Sequence, residues 1–314
     1  MHSVYLLTMT VRPRKSPPPP LTIIGLGPVG KALACAFTRA GSAGLTLIGR
    51  GRPGEQTLAR ALKARYLPDL SRLVQDNGFI VICVKDSQIL SISRQLARLK
   101  MRWNRLTILH TSGVLGSEVL KPLASKGASV AAWHPYMTFP KLSVRRAGSG
   151  EPPVRRAGSQ ALPESGAGLF AGVTFGVSGD PQAVQAASRL SRALGGRPLR
   201  LREEDRILYH LSAVLSCGFV AADLLLAVRV LKSIGLSEKR ALETVLPIAS
   251  QTLQNVAELG PQRALTGPAV RGDTATIRKH LRALRKLDPE LARVYATVSR
   301  HLLKRKTHTQ EGVG

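Results

Sequence analysis

Residues 21–40 read LTIIGLGPVGKALACAFTRA, and their reading decides the fold. Leu21 to Ile24 form a short apolar run of the kind that becomes a buried strand. Gly25, Gly27 and Gly30 then give G-x-G-x-x-G, and a helical pattern through Leu33, Ala36 and Phe37 follows at once. Each glycine has a mechanical reading. Gly25 permits a tight turn, Gly27 lets the backbone approach a pyrophosphate, and Gly30 lets helix and strand pack closely. Pro28 suits the first helical turn, where its missing N–H is no loss. The remaining free N–H groups of that turn, with Leu26 and Val29 beside them, can face an anionic phosphate.

Working outward, strand and helix patterns alternate. A second short strand at 45–48 ends in Gly49-Arg50-Gly51-Arg52. No acid stands there to hold ribose hydroxyls. Two arginines suit the extra phosphate of NADP, with NAD still possible; the alternative is two more surface arginines. Residues 56–65 read as a helix. Residues 79–84, FIVICV, are the continuous apolar run of a central parallel strand, followed by Lys85. A helix through Ile89, Ile92 and Leu96 follows, then a strand at 106–109 ending in His110-Thr111-Ser112-Gly113. The strand at 129–133 ends at His134. The alternation predicts an α/β fold with a doubly wound parallel sheet of Rossmann type, completed by strands at 173–177 and 198–201. In such sheets ligands sit outside the carboxyl ends of strands. The Gly25 turn, Val84 and Lys85, Thr111 and Ser112, and His134 all fall there.

Beyond residue 203 only helical patterns remain. A long apolar helix is expected over 205–234, another to about Leu259, a loop at 261–272, then helices opened by Asp273 and Pro289. The predicted organisation is a disordered lead at 1–20, a nucleotide-binding domain at 21–202, a helical domain at 203–306 and a tail at 307–314. Residues 140–168 interrupt the first domain. They repeat VRRAGS at 144–149 and 154–159 and carry no apolar period, the mark of a low-complexity insertion.

The net charge of +27 raises the question of a polyanion partner. The basic residues are spread along the chain and no nucleic-acid motif accompanies them, so a basic surface is favoured and nucleic acid disfavoured. The richest apolar stretch, 211–230, contains Asp223 and Arg229 and reads as a buried helix, so no membrane association is expected. Cys35, Cys83 and Cys217 are widely spaced in apolar surroundings. They read as buried free thiols of a cytoplasmic protein, with no metal site.

The segments LTIIGLGPVG, LHTSGVLGSEVL, HPYMTF, DRILYHLSAVL and ALTGPAVRGDTATIRKHL occur in this order. Together they resemble an uncharacterised Rossmann-like family with a helical C-terminal domain of unknown function. That family is related to pyrroline-5-carboxylate reductase, ketopantoate reductase and the β-hydroxyacid dehydrogenases. The resemblance implies NAD(P) binding, a helical dimerisation domain and oxidoreductase activity, and supplies no substrate; the functional expectation is a reductase of a small carbonyl or imine. The resemblance also implies an Asn where this chain has Gly218, a departure that keeps a non-catalytic nucleotide-binding or regulatory protein as the alternative.

Hydride chemistry needs a polar group that holds the substrate heteroatom and moves a proton. His210, His134 and Ser112 are the candidates. Thr266, Gly267 and Arg271 are candidates for holding substrate, with Arg271 suited to clamp a carboxylate. The apolar circumference of the 205–234 helix predicts a homodimer.

Overall fold

The computed structural model describes residues 20–42, 44–139 and 168–310, with side chains to residue 303. The lead at 1–20 and the insertion at 140–168 lie outside the described residues, apart from Pro20 and Gly168. The chain forms two compact units, Met1–Val214 and Leu215–Gly314.

The first unit carries eight strands: β1 (Leu21–Ile24), β2 (Leu45–Ile48), β3 (Arg65–Leu67), β4 (Gly78–Ile82), β5 (Leu106–His110), β6 (Ser129–Pro135), β7 (Thr174–Gly179) and β8 (Arg197–Arg200). Its helices are α1 (Pro28–Arg39), α2 (Glu55–Ala61), α3 (Asp86–Leu96), α4 (Lys121–Ala124), α5 (Pro181–Ala193) and α6 (Arg206–Val214). The strands form one sheet in the order β3-β2-β1-β4-β5-β6-β7-β8. Strand residues alternate between two apolar layers. Ile23, Val81 and Leu109 meet Leu33 and Phe37 of α1 and Leu190 of α5. Ile80, Ile82 and Ile108 meet Ile89 and Leu96 of α3 and Leu123 of α4. Both faces of the central strands are thus covered, which is why β4 is apolar at successive positions.

The sheet departs from the all-parallel expectation at one place. β6 and β7 are antiparallel, with His134 opposite Gly176 and Pro135 opposite Phe175. A parallel return needs a crossover element, and among the described residues between these strands there is no helix. β6 also continues through His134 and Pro135, so His134 lies within the strand rather than after it. The helix expected at 56–65 stops at Ala61. Lys63 takes a positive φ of 52°, and Arg65–Leu67 turn back as the edge strand β3 beside β2.

The second unit is helical: α7 (Val220–Ser233), α8 (Glu238–Leu259), α9 (Pro268–Arg271), α10 (Thr274–Leu287) and α11 (Pro289–Gln310). The expected loop at 261–272 contains the single turn α9. Asp273 caps α10 as its spacing predicts, its Oδ1 accepting from Thr276 N–H at 3.0 Å. A π-helical turn at Leu215–Phe219 separates α6 from α7 within the expected 205–234 helix. Cys217 lies in that turn and is exposed, so only Cys35 and Cys83 are buried thiols. By length and composition alone, the run Glu203–Ser233 could cross a membrane. Its first part is tied into the first unit by Arg206, which is fully buried and hydrogen-bonded there.

Candidate functional site

Gly25 and Gly30 fill the steric roles read for them. Gly25 has φ 96°, the left-handed region that glycine tolerates. A Cβ on Gly30 would collide with the Gly25 carbonyl oxygen, so this glycine sets the close approach of α1 to β1. At Gly27 a Cβ would meet nothing within 4 Å. That open side faces a cleft of about 560 Å³, lined by Gly25, Leu26, Gly27, Pro28 and Val29 together with Arg50, Arg52, Val84 and Lys85. The cleft runs along the carboxyl ends of β1, β2 and β4, where the parallel sheet directs its ligands. Gly30 lies behind it.

The rim at Arg50 and Arg52 is built by residues that the sequence reading passed over. No acid follows β2 directly, but Glu55 at the start of α2 reaches back to this loop. Its Oε2 accepts from Arg50 N–H at 2.9 Å, Arg52 N–H at 3.1 Å and the Tyr66 hydroxyl at 2.9 Å. Arg50 Nη2 donates to Gln88 Oε1 at 2.6 Å.

A second cluster gathers at the ends of β5 and β6 and on α6. The His134 and His210 rings lie edge to face with centroids 5.7 Å apart. Gly113 makes this possible. A Cβ there would collide with the His210 ring and come within 3.0 Å of His134 Nε2. Tyr209 closes the side, its hydroxyl accepting from Gly176 N–H at 3.1 Å and lying 3.4 Å from the His134 carbonyl oxygen. Tyr136 and Ser212 pair through their hydroxyls at 3.0 Å. Burial pushes the His134 imidazole down to about 4, helped by the charges of His210, Arg206 and His110. Its Nδ1 is buried without a hydrogen-bond partner among the described residues. Burial pushes the Tyr209 phenol up to about 12.

Beneath the cluster, Arg206 donates from Nη2 to the Ser112 carbonyl at 2.6 Å and from Nη1 to Ser178 Oγ at 3.0 Å. It therefore holds the Thr111–Gly113 segment from below. Ser112 Oγ accepts from the backbone N–H groups of Val114 and Leu115 and so shapes its own turn. Thr111 is turned toward Cys83, whose thiol burial pushes up to about 12 against their hydrogen bond. His110 bonds Gly116 O through Nε2 and accepts from Ser112 N–H at Nδ1, so it is a neutral, internally satisfied ring; burial pushes it down to about 4. Thr266, Gly267 and Arg271 belong to the second unit, where Gly267 caps α9 with φ 102° and Arg271 ends it. Among the described residues no group of His, Cys, Asp and Glu is arranged to hold a metal.

Mostly parallel sheet, glycine turn and open cleft define the class: a Rossmann-like domain. A Rossmann-like domain model matches residues 13–135, and the model of the domain of unknown function DUF2520 matches residues 173–302. The chain therefore joins a Rossmann-like domain to a DUF2520 domain. Among solved structures it is similar to the candidate NADP oxidoreductase BF3122 from Bacteroides fragilis, at 24% identity and TM-score 0.70, covering 91% of this chain and 98% of that one. It is similar to protein TM1727 from Thermotoga maritima, at 19% identity and TM-score 0.66, over 92% of this chain and 99% of that one. A reductive aminase from Aspergillus terreus, solved with NADPH and ethyl-5-oxohexanoate, matches at 15% identity and TM-score 0.64, over 92% of this chain and 94% of that one. These likenesses establish the fold. No curated protein matches the sequence.

Proposed function

We propose that this chain is an NADP-dependent oxidoreductase acting on a small carbonyl or imine substrate. The observation that carries the reading is the cleft itself. It combines a glycine turn open at Gly27 with two arginines on the opposite rim and no ion pair to either of them among the described residues. A diphosphate fits the α1 N-terminus and a further phosphate fits the arginine rim. The similar folds named above, one of them solved with NADPH, agree with it.

When bound, the nicotinamide supplies the hydride. The chain's own residues bind, orient and protonate. Arg206 holds the Thr111–Gly113 segment in register with β5. His134, held neutral by burial, offers a ring nitrogen to a substrate heteroatom, and His210 beside it carries the proton. Thr266, Gly267 and Arg271 are proposed to hold a substrate carboxylate. Gly218 favours one other reading, a nucleotide-binding protein without turnover. Calorimetry with both cofactors, followed by a carbonyl and imine panel, tests the proposal. NADPH is expected to bind more tightly than NADH. Equal affinity or an NADH preference would overturn the NADP reading, and tight binding without turnover would leave the non-catalytic one.

The protein is further proposed to act as a homodimer through its helical unit. Among the described residues that unit buries few apolar side chains: Val228, Ala241 and Val245 form one small cluster, and the others are Ala264, Ala269, Ile277, Leu291 and Ala292. Large apolar side chains stay exposed on α7 and α8, among them Leu225 at 62% and Ile248 at 70%. About a hundred residues with so small a core need a partner surface, and an isologous pairing supplies one. Light scattering at micromolar concentration should give twice the chain mass; a monomer would refute it.

A further inference from the structure

The loop Gly49–Gly54 joins β2 to α2 and carries both rim arginines. Its three successive backbone N–H groups turn inward onto one anchor. Arg50 and Arg52 donate to Glu55 Oε2, and Gly51 donates to the Tyr66 hydroxyl at 3.0 Å, which itself donates to Glu55. Glu55 is 5% exposed. A buried carboxylate is costly unless its oxygens are satisfied, and here one oxygen receives three donors. The carboxylate also occupies the space a Gly49 Cβ would need, which accounts for that glycine. Gly51, with φ 73°, completes the turn.

This arrangement has an electrostatic consequence. The anion of the loop is spent on backbone groups rather than on guanidinium groups. Arg50 is steered by a neutral amide, Gln88 of α3 on the facing wall of the cleft. The Arg52 guanidinium has no ion pair among the described residues. The backbone donors that could bind an external anion are already used, so discrimination falls on two side-chain cations held in place from behind. We propose that Glu55 and Tyr66 are the positioning residues of the phosphate-discriminating loop, acting through Arg50 and Arg52 to select a ribose 2′-phosphate. This rests on the NADP reading above.

Glu55→Ala, Glu55→Gln and Tyr66→Phe, made in the full chain, test it by calorimetry with NADPH and NADH. Glu55→Ala releases two N–H groups and the Tyr66 hydroxyl. It should weaken NADPH binding about tenfold or more while NADH changes less than about threefold. Glu55→Gln keeps an acceptor oxygen at the Oε2 position and removes a negative charge from the rim. It should restore NADPH affinity to the unaltered chain's value or better. Tyr66→Phe should lower the NADPH-to-NADH preference about threefold, because Gly51 N–H loses its acceptor and Glu55 keeps two of its three donors. A purely structural role for Glu55 would lower melting temperature and leave the preference unchanged, which would overturn the proposal. So would a Glu55→Gln variant as impaired as Glu55→Ala. If Glu55→Ala does not fold, Glu55→Gln and Tyr66→Phe decide: an unaltered preference in Tyr66→Phe, or a reduced one in Glu55→Gln, overturns it. Lack of NADPH preference in the unaltered chain would instead bring down the NADP reading.

Discussion

Gly27→Val is expected to abolish NADPH binding while the protein folds and melts as before. The loss should be at least about a hundredfold, read by calorimetry as the disappearance of the binding heat. The two halves of this expectation have separate physical sources. Gly27 has φ −73° and ψ −173°, a conformation open to any residue, and a Cβ there meets nothing within 4 Å. Valine should therefore cost little stability. The space it enters is the cleft side of the turn, where the N–H groups at the start of α1 must come within hydrogen-bond distance of a diphosphate. The neighbouring glycines behave differently. A side chain at Gly25 or Gly30 would run into the backbone of Cys83 or of Gly25, so those substitutions disrupt folding and binding together. Gly27→Val is the substitution that separates the two, and NADPH affinity within threefold of the unaltered chain would sink the pyrophosphate reading of the turn.

What the sequence made legible, and what it did not, follows from how local each determinant is. The β1 turn and α1 could be read because glycine stereochemistry is decided within six residues. The central strand β4 could be read because burial on both faces demands a continuous apolar run. β3 could not: it is three residues long, sits on the sheet edge, and exposes Arg65. The antiparallel pairing of β6 with β7 was equally hidden, since strand direction is settled by chain return rather than by residue pattern. The burial of Arg206 was hidden too: it is one arginine in a chain rich in them, and no local pattern announces it.

The candidate site divides in the same way. That Gly25 to Val29, Arg50, Arg52, Val84 and Lys85 lie together could be read because strand ends in a parallel sheet point at one edge, and one cleft gathers all of them. Glu55 and Tyr66 were missed because each looks ordinary in sequence, one an acid in a helix's first turn, the other an aromatic beyond it. Their part arises only when β3 folds beside β2 and brings the Tyr66 hydroxyl to the loop. Ser112 stood at the right strand end, but its hydroxyl is engaged by the N–H groups of its own turn.

The two histidines can be told apart by experiment, and His210→Ala carries the larger expected effect. If His210 delivers the proton, its removal should slow NADPH-dependent reduction about a hundredfold or more, the usual scale for a lost general acid. His134 cannot take over. Burial, the largest cause that holds its imidazole below the ordinary range, persists when the His210 charge is removed, so the neutral ring stays favoured at neutral pH. The variant should fold, because the anchors of α6 do not involve His210: Arg206 to Ser112 and Ser178, and Tyr209 to Gly176, remain in place. NADPH affinity should also be retained, since His210 is not among the residues that line the cleft. Single-turnover oxidation of NADPH with any accepted imine or carbonyl, compared with calorimetry on the same samples, separates the proton step from binding. Turnover unchanged in His210→Ala, with cofactor affinity intact, would reduce His210 to a ring packed against Gly113 and place the proton source elsewhere.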